Sequence, residues 1–72
     1  MANIITNLKE YRKTKKISQQ ELAQLVGVRR ETIVHLENNR YNPSLEMALK
    51  IAEIFECPVE ELFQLKNEVG QD

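Results

Sequence analysis

The stretch SQQELAQLVGVRRETIVHLE, residues 18–37, decides how the rest of the chain is arranged. Ser18 is placed to cap a helix, and Glu21, three residues on, can reach back to the Ser18 amide, the reciprocal pair of a capping box. Leu22, Ala23, Leu25 and Val26 follow at helical spacing, Gly27 tolerates the positive φ of a sharp turn, and Ile33 and Leu36 resume the apolar stripe. The spacing predicts helices over 19–26 and 30–38, crossing at one short turn. Ala23 is small where the second helix must pass close by, and Val28 can fill the space between the two. Arg30, Glu31, Val34 and His35 are left facing outward.

Outside this stretch the pattern stays helical. Asn3, Ile4 and Ile5 are a short β-prone start, and Thr6 or Asn7 can cap a first helix running to about Lys15, with Leu8 and Tyr11 inward. Residues 38–43, NNRYNP, have loop composition, and Ser44 after the proline is a good cap. Leu45, Ala48, Leu49, Ile51, Ala52 and Phe55 then recur at three- and four-residue steps and predict a core helix with Glu46 in its first turn. Pro58 suits the first position of a short fifth helix, with Cys57 as its cap and Val59, Leu62 and Phe63 apolar. Phe63 to Lys66 alternate apolar and polar, a weak strand signal that can pair with residues 3–5. With no repeat or linker, the expectation is one domain over residues 1–66 and a flexible tail over 67–72.

A 72-residue chain that is 42% hydrophobic and 29% charged, with two Gly and two Pro, is globular and helix-rich rather than disordered. At this size folding buries only about 60% of the surface the unfolded chain exposes, so stability without a partner subunit is modest. No apolar run approaches the roughly 20 residues of a membrane helix and no secretion signal opens the chain, which gives a cytoplasmic expectation and no membrane partner. One cysteine, Cys57, makes neither an internal disulfide nor a metal site alone. The net charge of −1 hides an asymmetry. Residues 1–41 carry eight Lys or Arg against four Glu, and residues 42–72 carry two Lys against seven acids. One half can face phosphates while the other faces solvent or a partner.

Taken together, the SQQELA opening of the second helix, the GV turn, the RETI opening and LEN close of the third, the RYNPSLEMALKIA block and the CPVEELF ending resemble the phage Cro and repressor type of helix-turn-helix regulator, the XRE family, along almost the whole chain. Within it the chain looks most like short one-domain regulators with small strands near both termini, similar to the cytolysin operon repressor. The resemblance implies an all-α, compact five-helix bundle of the lambda-repressor-like type, with a small antiparallel ribbon from the terminal segments. It also implies a homodimer that binds an inverted repeat in double-stranded DNA and regulates transcription, as a repressor first of all, with no cofactor and no small-molecule ligand.

The resemblance puts the third helix in the major groove. There Arg30 can bond O6 and N7 of guanine, Glu31 can accept from cytosine N4, Val34 can touch a thymine methyl and His35 can donate or accept. Related chains commonly carry Gln where this one has Glu31, so the preferred bases should differ. Gln19 matches the family's phosphate contact at the start of the second helix, and Arg29, Thr32, Asn38, Arg40 and Tyr41 suit the flanking phosphates. The family usually has Ser or Thr at the position of Arg29, as a cap. Arg12 and Glu37 match an ion pair that ties the first helix to the third. Whatever part of the Phe55, Leu62, Phe63 and Leu65 cluster stays exposed is the expected dimer surface.

Without the resemblance, an outward His beside a Glu is a solvated pair and Arg29-Arg30 is surface charge. An antitoxin-like protein-binding module that also touches DNA is the alternative function. It predicts a longer disordered segment than the few residues after Leu65. An enzyme is disfavoured by one His, one Cys, no metal-ligand cluster, no phosphate-cradling glycines and no room for a pocket.

Overall fold

In the computed structural model, which describes residues 3–66, the elements run β1 (Ile4–Thr6), α1 (Leu8–Lys15), α2 (Gln19–Val26), α3 (Arg30–Glu37), α4 (Leu45–Phe55), α5 (Val59–Leu62) and β2 (Phe63–Leu65). The expected tail, 67–72, lies outside the described residues.

Local chemistry accounts for most of the boundaries. The α2 capping box is complete: the Glu21 amide donates to Ser18 Oγ at 3.0 Å and the Ser18 amide to Glu21 Oε1 at 2.8 Å. Ser44 caps α4 by accepting from the Met47 amide at 3.1 Å. Gly27 ends α2 at φ 87°, and the Gly27 and Val28 amides both donate to the Ala23 carbonyl. At α1, Asn7 occupies the cap position without a side-chain bond, and the hydroxyl oxygen of Thr6 accepts from the Leu8 amide at 3.1 Å instead. Two sequence expectations shift by one residue. Helix α3 closes at Glu37 with Asn38 as its end residue, and the residue preceding α5 is Pro58, not Cys57, whose amide belongs to the end of α4 through the Ala52 carbonyl.

Helices α1 and α4 end on non-glycine residues in the left-handed region, Lys16 at φ 60° and Glu56 at φ 55°, and Asn39, one residue past the end of α3, joins them at φ 58°. Each is followed by the long backbone bond of a Schellman turn, for example Arg40 to the His35 carbonyl at 3.0 Å.

The core gathers Leu8, Leu22, Ala23, Ile33, Leu36, Ile51 and Leu62, with Met47, Ala48, Phe55 and Phe63 at its margin. Each fully buried Leu or Ile contributes about 1.5–3 kcal/mol through removal from water. Ala23 is completely buried under α3, and Val28 packs half-buried against the same cluster, as the turn requires. Leu25, Leu45 and Leu49 depart from the sequence reading. The periodicity assigned them to the apolar stripe, yet they are exposed, Leu45 by 72% and Leu49 by 52%. Helix α4 carries apolar side chains around more of its circumference than one core can cover.

The two strands pair antiparallel, Ile4 opposite Leu65, Ile5 opposite Gln64 and Thr6 opposite Phe63. The far side of β1 does not point into solvent unbonded. The Thr6 amide donates to Asn39 Oδ1 at 3.0 Å, and the Asn3 and Ile4 amides donate to Asn42 Oδ1 at 3.0 and 3.2 Å.

Candidate nucleic-acid interface

Helix α3 presents two unlike faces. Ile33 and Leu36 are buried against α2 and the core, while Arg30, Glu31 and His35 are exposed and Val34 is half-buried. At 100° per residue, positions 30, 31, 34 and 35 fall within an arc of about 140°. The four side chains assigned to base edges therefore share one side of a single helix, carried on a rigid base.

That base is fixed by a polar cluster at the junction of α1, α2 and α3. Arg12 Nε donates to Glu37 Oε2 at 2.7 Å and Arg12 Nη2 to Glu37 Oε1 at 3.1 Å, while Arg12 Nη1 reaches the Ile17 carbonyl at 3.1 Å. The Glu37 side chain is only 3% exposed and that of Arg12 12%. A fork-to-fork guanidinium pair at this depth is charge-assisted and directional, so it sets the rotation of α3 relative to α1. Hydrogen bonding to Glu37 raises the Arg12 pKa further above its already high ordinary value, against the opposing effect of burial.

Gln19 joins the same cluster. Its amide nitrogen donates to Glu37 Oε1 at 3.1 Å, a contact the sequence reading did not anticipate. As the first residue of α2, Gln19 sits among unsatisfied helix amides that attract an anion. Glu37 fixes the amide plane and leaves the carboxamide a second N–H.

The remaining positions assigned to phosphates bracket α3. Arg29 precedes it in extended conformation and gives no side-chain cap, and Thr32 is half-buried in the first turn. Asn38, Arg40 and Tyr41 are exposed just beyond its end. Arginines thus stand at both ends of the exposed face.

The four positions offered for a dimer surface do not stay together. Phe55, Leu62 and Phe63 are buried in this chain's own core, which leaves Leu65, 76% exposed. A broader apolar strip lies on α4 and α5, where Leu45, Leu49, Ala52, Cys57, Pro58 and Val59 line an open groove edged by Glu46, Lys50, Glu53 and Glu56. The sequence carried the signal for it, since eight apolar positions in eleven are more than a one-sided helix uses. Cys57 is half-buried there, and loss of solvation, with Glu61 nearby, pushes its thiol pKa up. Among the described residues no cluster of His, Cys, Asp and Glu is arranged to hold a metal ion, and no helix is long and apolar enough to cross a membrane.

Comparison with known proteins agrees with this geometry. The helix-turn-helix family model matches residues 8–62. An HTH-type transcriptional regulator of Archaeoglobus fulgidus is 51% identical over 63 residues, 88% of this chain and 89% of that protein. Among solved structures, the restriction-modification controller protein C.AhdI from Aeromonas hydrophila is similar with a TM-score of 0.69 and 35% identity, over 75% of this chain and 82% of that one. The DNA-binding domain of the P22 C2 repressor is similar with a TM-score of 0.69 and 28% identity, over 74% of this chain and 70% of that one. With its capped α2, its buried turn and its exposed α3 face, the chain belongs to the helix-turn-helix family of XRE-type, DNA-binding transcriptional regulators.

Proposed function

We propose that this regulator is a repressor that binds an inverted-repeat operator as a homodimer, with α3 of each copy in the major groove. The observation that carries the reading is the arc of α3 formed by the exposed Arg30, Glu31 and His35 with the half-buried Val34, on a helix whose other face is locked by Ile33, Leu36 and Glu37. Arg30 at the first position bonds guanine through two parallel N–H groups, Glu31 accepts from a cytosine amino group, Val34 meets a thymine methyl and His35 bonds one turn further along. Gln19, Arg29, Thr32, Asn38, Arg40 and Tyr41 hold phosphates and so set register without reading sequence. The similarity to the P22 C2 repressor supports repression by occupation of a promoter.

A second copy covers the strip of Leu45, Leu49 and Val59, because a contiguous apolar surface of this kind on a small domain is unfavourable in water. This face on α4 and α5 is broader than what remains of the cluster expected in sequence, of which Leu65 alone stays exposed.

Selection of bound duplexes from a random pool near physiological salt tests the reading, with Arg30→Ala and Leu49→Glu run alongside. The expected result is an inverted repeat with half-site centres about 34 Å apart, blurred by Arg30→Ala at one symmetric position. Leu49→Glu is expected to sediment as a monomer and to enrich single half-sites. Enrichment of no sequence overturns the operator assignment, and an unchanged dimer in Leu49→Glu overturns the interface.

A further inference from the structure

The loop after α3 is held at both of its ends by the same strand. Asn39 Oδ1 accepts the Thr6 amide at 3.0 Å, and Asn42 Oδ1 accepts the Asn3 and Ile4 amides at 3.0 and 3.2 Å, all from β1 or the residue before it. Between these two anchors lie only Arg40 and Tyr41, both exposed. The anchors span 33 to 39 positions of sequence, so they are a product of the fold and not of local turn chemistry.

Asn39 also adopts a left-handed φ of 58°, which asparagine tolerates better than most residues, and this turns the chain out of α3 through the Schellman bond from Arg40 to the His35 carbonyl. One residue thus sets the direction in which the loop leaves α3, and its side chain ties that loop to β1. The strand is itself tied down: the Thr6 hydroxyl donates to the Leu62 carbonyl, and Ile4–Thr6 pair with Phe63–Leu65. A continuous hydrogen-bonded path therefore runs from α5 and β2 through β1 to the loop.

We infer that Asn39 and Asn42 are positioning residues for DNA binding: with β1 as their anchor, they hold Arg40 and Tyr41 preset against the phosphates flanking the recognition helix. The inference rests on the assignment of Arg40 and Tyr41 to phosphates made above and adds what holds them there. A free six-residue loop would lose conformational freedom each time it engaged a phosphate, whereas a loop clamped on both sides has lost it on folding. The sheet edge supplies two N–H groups, at Ile4 and Thr6, that would otherwise face water, and the asparagine side chains occupy them.

The test compares the wild-type chain with Asn39→Gly, Asn42→Ala and the double variant, each with and without Arg40→Ala, by fluorescence anisotropy on a labelled duplex of random sequence. About 30 base pairs suffice, because that length accommodates two half-sites one turn apart. Random sequence is sufficient because the contacts in question are to phosphates. Asn39→Gly keeps the left-handed turn while removing the bond to Thr6.

The expected result is binding about 3- to 10-fold weaker in the double variant. The plot of log affinity against log salt becomes shallower by about 0.9 for each phosphate released. Arg40→Ala weakens the wild type by more than it weakens the double variant, because the two changes remove the same contact. A purely structural role would lower Tm while leaving the salt slope and the effect of Arg40→Ala unchanged, and that outcome overturns the inference alone. Absence of wild-type binding at low salt overturns the phosphate assignment and the inference with it. If the double variant fails to fold by circular dichroism, Asn39→Gly alone decides by the same two readings.

Discussion

Glu37 accepts hydrogen bonds from both Arg12 and Gln19, one carboxylate serving the junction of α1 with α3 and the first residue of α2 at once. Replacing it leaves the Arg12 guanidinium buried without its counter-charge. Glu37→Ala is expected to lose about 3 kcal/mol in urea titration, toward the lower end of what breaking a buried pair costs, because Arg12 keeps its bond to the Ile17 carbonyl. A protein so small has a total stability of about 5 kcal/mol, so the variant retains about 2 kcal/mol and only a few per cent of it is unfolded. DNA affinity corrected for the folded fraction should still fall on every sequence, because Gln19 has lost its orientation.

The carboxylate of Glu31 can only accept, whereas an amide can both donate and accept. Glu31→Gln is expected to exchange a preference for cytosine for one for adenine at a single symmetric operator position, by roughly 1–3 kcal/mol, with stability unchanged because the side chain is exposed. Competition between duplexes differing at that position measures it. Equal preference before and after the substitution would remove Glu31 from the base-reading set.

Arg29 sits where α3 would take a capping side chain and supplies none. Arg29→Ser is expected to stabilise the fold by about 1 kcal/mol through a bond to the amides of the first turn. The same substitution should weaken binding to all duplexes and lower the salt slope by about 0.9. Thermal melting and salt titration together expose this opposition between stability and binding.

Glu56 and Lys16 hold left-handed backbone conformations that cost a side-chain-bearing residue roughly 1–2 kcal/mol. Part of that relief is offset by the greater freedom of glycine in the unfolded chain. Glu56→Gly is expected to raise stability by up to about 1 kcal/mol, checked by urea titration.

Burial and the neighbouring Glu61 favour the neutral thiol of Cys57, so its folded-state pKa lies above that of the unfolded chain. Below the unfolded value, about 8.5, both states are protonated and the full stability is present. Above it the unfolded state ionises first, and stability declines as pH rises toward the folded pKa. Cys57→Ala should flatten that alkaline decline, and iodoacetamide at pH 8 should alkylate the native chain more slowly than the urea-unfolded one.

The parts of this fold legible in the sequence are those whose physics is local. Ser18 and Glu21 are three residues apart, so their capping box needs nothing beyond the helix they begin. Gly27, Ser44 and the alternation of Phe63 to Leu65 carry similarly short-range signals. Periodicity failed at Leu45 and Leu49 because it reports which residues share a helix side and not how far the core extends around that side. For the same reason periodicity left open which part of the Phe55, Leu62, Phe63 and Leu65 cluster stays exposed, and in the fold it is Leu65. Asn39 and Asn42 read as loop composition, since their partners Thr6, Asn3 and Ile4 lie 33 to 39 positions away and are brought close by the tertiary fold. The bond from Gln19 to Glu37 escaped notice for a related reason, as it depends on the angle at which α2 and α3 cross.

The pairing of Ile4 with Leu65 joins positions roughly 60 apart, and a ribbon of three residues per strand returns little for closing so long a loop. The packing of α2 on α3 spans a few residues of turn. Loop-closure entropy therefore predicts that folding begins at the helical pair and ends at the ribbon, and that the ribbon opens in fluctuations well short of global unfolding. Because Asn39 and Asn42 bond to that ribbon, each such opening is expected to release the loop that follows α3 as well. Amide exchange at Ile5 should accordingly be faster than at Leu36, whose protection approaches the global limit.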